Sequence, residues 1–217
     1  LRDSQVRWFL GIAGSMVVLM TMWTFFRLEM PPLTALRLSA FNTISVMTGT
    51  GYSASDYSQW GSLALTVMFF LMFVGGCTGG TTGGIKIFRF QVLLTTTRIQ
   101  IAQMLRPHSV VSAQYNGKPI TEAVTGAVLG FYFLFFAAFA VVALGLSLHG
   151  HDFLTSISGA ATAVANVGPG LGEVIGPSGN FSSLSDSAKW LLAAAMLLGR
   201  LELFTVLVLF LPSFWRR

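Results

Sequence analysis

The 217 residues are 53% apolar and only 10% charged, with a mean hydropathy of +0.71. A water-soluble domain carries about 25% charged residues, so this composition excludes a soluble globular domain, a disordered chain and a coiled coil, and indicates an integral membrane protein. The single cysteine, Cys77, rules out an internal disulfide, and the formal charge of +5 fits cytoplasmic loops better than nucleic acid in so apolar a chain.

The chain starts at Leu1. Arg2 and Arg7 lead into a long apolar run with no small-residue cleavage site, which argues against a signal peptide and leads us to expect an internal or C-terminal piece of a longer protein. A helix rises about 1.5 Å per residue, so about 20 apolar residues cross a hydrocarbon core of about 30 Å. Trp8 to Phe26 meets that length without a charge. Pro31 to Met47 is mildly apolar and too short to span, as a re-entrant helix would be. Leu63 to Val74 has only twelve residues before GGCTGGTTGG (Gly75 to Gly84), after which apolar residues resume from Ile85. This pattern predicts one span broken midway by an irregular segment, which survives at membrane depth only when packed in protein or lining a wet cavity.

The second half repeats the order. Thr121 to Leu148 is a span with Glu122 near its start, His151 to Ala165 is a second short helix, and Ala188 to Leu211 is a third clear span carrying Arg200 and Glu202 midway. Gly51 and Gly168, which close the two short helices, lie 117 residues apart. The expected fold is therefore all-α, with two tandem span–pore helix–span repeats in one orientation. The first repeat covers 1–105, a cytoplasmic linker 106–120 and the second repeat 121–217. Nine positive residues (Arg2, Arg7, Lys86, Arg89, Arg98, Arg106, Lys118, Arg216 and Arg217) fall on one side, and Arg27, Arg37 and Lys189 on the other. The positive-inside rule places the nine in the cytoplasm. Glu29, Asp56, Asp152, Glu173 and Asp186 then lie outside, where they would raise the local cation concentration modestly. Trp8, Trp23, Trp60, Trp190 and Trp215 fall near span ends, as interface anchors do.

Three segments could carry chemistry. In TGTGYS, Thr48, Gly49, Thr50 and Gly51 follow a re-entrant helix, and glycine permits the positive φ that lets successive carbonyls point one way. Carbonyls turned into a pore replace the water around a cation, aided by the negative end of the helix. Asn166, Val167 and Gly168 stand at the equivalent place. The bland reading of either segment is an ordinary surface turn; their recurrence inside a repeat favours an ion filter. In the break, Gly75, Gly76, Gly79, Gly80, Gly83 and Gly84 put six glycines in ten residues. A phosphate-binding Walker loop is rejected because Ile85 displaces Lys86 and Ile87 stands where Ser or Thr belongs. A helix-packing face of small residues needs fewer glycines, which leaves a hinge or gate beside water. Arg200 must face protein or water. Glu202 is a poor partner two residues along a helix, so carbonyls freed by the break are the better one. His149, His151 and Asp152 form a weak metal motif, Cys77 reads as a small buried residue, and Asn180-Phe-Ser matches a glycosylation acceptor that arises often by chance.

FNTISVMTGTGY, GGCTGGTTGGIK, ANVGPGLGE and LLGRLELFT together resemble the Trk/Ktr/HKT superfamily of potassium transporters, most closely the TrkH type, over essentially the whole chain. The resemblance implies four repeats around one pore, of which this chain holds the third and fourth. It implies one filter glycine per repeat, here Gly51 and Gly168, where some plant relatives that favour sodium carry Ser. It implies an intramembrane gating loop at Gly75 to Gly84 and a pore arginine at Arg200. It further implies a homodimer of full-length subunits in the bacterial inner membrane, and a cytoplasmic regulatory ring whose own subunits bind NAD or ATP. The basic inner segment around Arg98, Arg106 and Lys118 would contact that ring. The expected function is potassium uptake through a gated pore, with potassium at the filter residues, no enzymatic activity and no cofactor on this chain. The rival readings are a non-conducting assembly subunit and an intramembrane enzyme. The latter needs a nucleophile–base pair or a metal set that Arg200 and Glu202 do not supply.

Overall fold

The computed structural model describes residues 3–106, 114–116, 118–201, 205, 208 and 212–215. Helix α1 (Ser4–Leu28) starts at Asp3, whose carboxylate accepts the Gln5 amide, and ends at Glu29 in the left-handed conformation. Helix α2 (Pro32–Thr48) uses Pro32 at its first position, where the missing N–H would be unsatisfied anyway. The two pack together, with Thr24 and Ser39 hydroxyls 3.1 Å apart in their buried seam. A 3₁₀ turn (Tyr57–Trp60) leads into α3 (Ser62–Phe73), and α4 (Ile87–Leu105) resumes beyond the glycine-rich break. Two-residue strands β1 (Gln114–Tyr115) and β2 (Lys118–Pro119) pair as a small hairpin in the linker.

The second half follows the same order: α5 (Glu122–Leu148), α6 (Phe153–Ala165), α7 (Gly172–Ile175), a 3₁₀ turn (Phe181–Ser183) and α8 (Asp186–Arg200), with α9 (Pro212–Trp215) beyond. Thr121, Asp152 and Ser185 cap α5, α6 and α8 with side-chain oxygens. Helix α6 packs between α5 and α8 and also touches α3, so the two halves share one core. A Phe cluster closes that core, with the Phe73 ring 6.1 Å from Phe135 and 5.4 Å from Phe139.

Helices α1 and α5 are long and apolar enough to cross a membrane, yet most of each is unburied. Phe26, Phe133 and Leu148 stand exposed along them. An apolar helix whose surface is left uncovered by protein is suited to lipid rather than water.

Three expectations need correction. Trp60 is buried in the core and its carbonyl accepts the Trp23 indole N–H at 2.7 Å, so it fixes α1 to the outer loop instead of anchoring at an interface. Arg200 is the last residue of α8, with Leu201 as its C-cap, and does not stand in mid-helix. The break is also less orphaned than its glycine content suggests. Residues 202–204, including Glu202, and Arg216 and Arg217 lie outside the described residues, as do Arg2 and the side chain of Lys118.

Candidate functional site: paired helix-end turns above a glycine loop

Helices α2 and α6 both end in a residue with left-handed backbone, Gly49 at φ 65° and Asn166 at φ 56°. The next amide in each turn reaches back five residues: Thr50 N donates to Ser45 O at 2.9 Å and Val167 N to Thr162 O at 3.0 Å. Gly51 (φ 80°) and Gly168 (φ 122°) follow, in conformations that side chains rarely adopt. Side chains from the short helices hold the returning strands. Asn42 Oδ1 accepts from Ala54 N at 2.8 Å, and Ser158 Oγ from Leu171 N at 2.9 Å. Ser45 Oγ donates to Tyr52 O at 2.5 Å, while Thr162 Oγ1 accepts from Gly168 N at 2.9 Å.

The two turns meet each other. A Cβ added to Gly51 would stand 2.6 Å from Val167 O, and one added to Gly168 would stand 3.2 Å from Gly51 Cα. Ser58 Oγ accepts from Gly172 N at 3.2 Å, joining the outer loops above them. Among the described residues, the carbonyls of Gly49, Thr50 and Gly51 and of Asn166, Val167 and Gly168 accept no hydrogen bond. The amides of Gly49, Thr50, Asn166, Val167 and Gly168 are paired while the carbonyls are free, an arrangement suited to a cation. The negative ends of α2 and α6 point the same way electrostatically.

Directly against the second turn lies the glycine-rich break. Its ends zip together: Gly75 N donates to Ile85 O at 2.9 Å, Ile85 N to Phe73 O at 2.9 Å and Ile87 N to Gly76 O at 3.0 Å. Gly76 N finds Thr82 Oγ1 at 2.8 Å, and Gln5 Oε1 of α1 accepts both the amide and the hydroxyl of Thr78 at 2.8 Å. Arg200 Nη1 donates to Thr81 O at 2.5 Å. Contacts are close enough to require glycine, since a Cβ on Gly83 would meet Ala165 O at 2.1 Å and one on Gly199 would meet Val164 O at 1.9 Å. A cavity of about 200 Å³ remains beside the loop, lined by Thr81, Gly84, Lys86, Phe131 and Arg200 among others. The Arg89 guanidinium lies 3.6 Å above the Phe131 ring, a cation–π contact.

These features match a known family. A family model described as TrkH, a cation transport protein, matches residues 1–217. The chain belongs to the TrkH family. It is 51% identical over 217 residues to the Trk system potassium uptake protein TrkI of Halomonas elongata, covering 100% of this chain and 44% of that one. It is 33% identical over 216 residues to the TrkH protein of Salmonella typhimurium, covering 99% of this chain and 44% of that protein. The crystal structure of the potassium transporter TrkH from Vibrio parahaemolyticus superimposes with a TM-score of 0.90 at 32% identity, over 99% of this chain and 45% of that one. The chain thus spans less than half the length of the curated relatives it matches. It is a TrkH-family membrane protein.

Of the residues singled out by sequence, this TrkH-family chain brings the two turns, the glycine loop and Arg200 into one continuous region. The HGHD motif takes other duties. Asp152 caps α6, and the His149 ring bonds Gly145 O at 2.7 Å. The Asp152 carboxyl is held below the usual carboxylate range, chiefly by its hydrogen bond with the Thr155 side chain. Among the described residues no three His, Cys, Asp or Glu side chains gather as a metal set. Sequence reasoning missed Gln5, Asn42, Ser45, Ser158, Thr162 and Gly199. Ser, Thr and Gly are common in membrane helices, and Gln5 and Asn42 lie near helix ends or in short helices, so only their partners distinguish these residues.

Proposed function

We propose that this chain forms part of the wall of a gated pore for potassium uptake in a bacterial inner membrane. The observation that carries the reading is the pair of abutting turns whose carbonyls lack hydrogen-bond partners. Carbonyls of Thr48 to Gly51 and of Asn166 to Gly168 replace part of the ion's hydration shell, and the ends of α2 and α6 add partial negative charge. Below them Gly75 to Gly84 obstructs the path. Arg200 latches that loop through Thr81 O and sets a positive charge against a passing cation. Opening requires the loop to leave Arg200, and a segment with six glycines can change backbone conformation at low steric cost.

The two repeats, 1–105 and 121–217 with 106–120 as linker, combine with two further repeats supplied by the rest of a full-length subunit. Such subunits pair as homodimers on a cytoplasmic ring that binds NAD or ATP, touched by the inner segment around Arg98, Arg106 and Lys118. The names of the relatives support a potassium substrate, and the absence of a metal set among the described residues gives no support to an intramembrane enzyme. The test is ion flux by the full-length parent in liposomes, comparing rubidium or potassium with sodium. Preference for potassium is expected, and Arg200→Ala should raise flux about ten- to a hundredfold, the equilibrium worth of one charge-assisted hydrogen bond. No flux with the regulatory ring present would favour an assembly subunit. Wild-type flux from a folded Arg200→Ala protein would end the latch.

A further inference from the structure

The two turns share a backbone but not a residue type where the helix ends: Gly49 in the first, Asn166 in the second. Glycine adopts this left-handed conformation freely, whereas Asn does so at some cost and brings a side chain. That side chain has a use. Asn166 Nδ2 donates to Met196 O of α8 at 3.1 Å. In an α-helix the carbonyl of residue 196 is the one that receives the amide of residue 200, and a carbonyl has two acceptor sites. Asn166 therefore grips the backbone of the turn that carries Arg200. On its other side, Asn166 Cβ lies 3.0 Å from where a Gly83 Cβ would stand, and its Nδ2 lies 2.9 Å from where a Gly199 Cβ would stand. It sits at a three-way junction of the second turn, the glycine loop and the last turn of α8.

We infer that Asn166 is a positioning residue that couples the second filter turn to the Arg200 latch, so that a change at one is felt at the other. The inference rests on the reading of Arg200 and the loop as a gate. Its asymmetry is specific: Gly49 has no side chain and offers no counterpart link in the first repeat. Coupling through a contiguous hydrogen-bonded junction needs a test that both ends report.

The native Cys77 lies within the loop and is partly exposed, so its thiol can report loop release. In the full-length parent with Cys77 as its one cysteine, thiol-labelling rate, total flux and potassium-over-sodium preference are measured together. Asn166→Gly keeps the left-handed turn and removes only the tether. Asn166→Asp keeps the shape but has no N–H to donate. Both variants should label Cys77 and pass potassium about three- to tenfold faster, in line with loss of one hydrogen bond. Adding Arg200→Ala to Asn166→Gly should give less than the product of the two single effects. Wild-type labelling in both variants, full multiplicativity, or loss of ion preference without loop release overturns the inference. If Arg200→Ala and Asn166→Gly both speed labelling but neither changes flux, the junction stands and the gate reading falls.

Discussion

The turns after α2 and α6 are built on one backbone plan and braced differently. Both have a left-handed helix end, an amide reaching back five residues and a following glycine at positive φ. The first turn is held by Asn42 and Ser45 of its own helix. The second is also held from below, where α6 abuts the glycine loop at Gly83 and α8 at Gly199. Repetition thus conserves the geometry of the proposed ion site, while the contacts that would control it are concentrated at one of the two turns. A pore needs equivalent carbonyls around its axis; a latch needs only one attachment.

The sharpest way to break this comparison is at the two glycines. Gly51→Ser places a Cβ 2.6 Å from a backbone oxygen at φ 80°, and Gly168→Ser places one 3.2 Å from a Cα at φ 122°. Each strained residue costs about 1–3 kcal/mol, so potassium-over-sodium flux should fall about tenfold or more, with Gly51→Ser the worse of the two. Equal preference to wild type in both folded variants would remove the filter assignment from both turns.

Glycines in helices separate the braced repeat from the rest. Gly199→Ala drives a methyl group into Val164 O at 1.9 Å, whereas Gly11→Ala on α1 meets nothing within 4 Å. Overpacking costs about 1–3 kcal/mol, and Gly to Ala in an open helix gains about 0.5–1 kcal/mol. Thermal unfolding of the detergent-solubilised parent should shift down for the first and up slightly for the second. Equal shifts would mean that the α6–α8 contact is loose.

A smaller effect tests the braces themselves. Thr162→Val removes the acceptor for Gly168 N, and Ser45→Ala removes the donor to Tyr52 O. Each net hydrogen bond is worth about 1 kcal/mol, so potassium preference should drop a few-fold in each. Thr162→Val should be the more costly, because it leaves an amide unpaired. If only Ser45→Ala has an effect, the bracing is not equivalent in the two repeats.

The smallest difference is in pH dependence. Helix α6 is capped by Asp152, while α2 begins at Pro31 without a side-chain cap. The carboxyl of Asp152 is held below its ordinary value of 3.8, first by the Thr155 side chain. Its pKa is lower folded than unfolded, so its contribution is complete above the unfolded value and is lost as pH falls through the folded one. Asp152→Asn retains a cap of similar strength and should flatten the acid limb of the unfolding profile below about pH 4. Its stability at neutral pH should change by less than about 1 kcal/mol. An unchanged acid limb would show that the group does not report on α6.

Much of this was legible one segment at a time. Apolar runs of the right length located α1 and α5, the short apolar stretches located α2 and α6, and clustered glycines located the break between α3 and α4. These are local properties: helix length against bilayer thickness, and backbone freedom at residues without a Cβ. The charge on Arg200 demanded a partner for the same reason, because an unpaired charge at membrane depth is costly.

Which atoms answer those demands was decided by tertiary structure alone. Arg200 finds Thr81 across 119 residues, Thr78 finds Gln5 across 73, and Asn166 finds Met196 across 30. Trp60 has the composition of an interface anchor and is core because α1 lies over it. Hydrophobic length and glycine content act on a chain segment by itself, so they can be read in sequence. A hydrogen bond between distant segments depends on how whole helices pack, and that packing is settled by the shape of the shared core around α6.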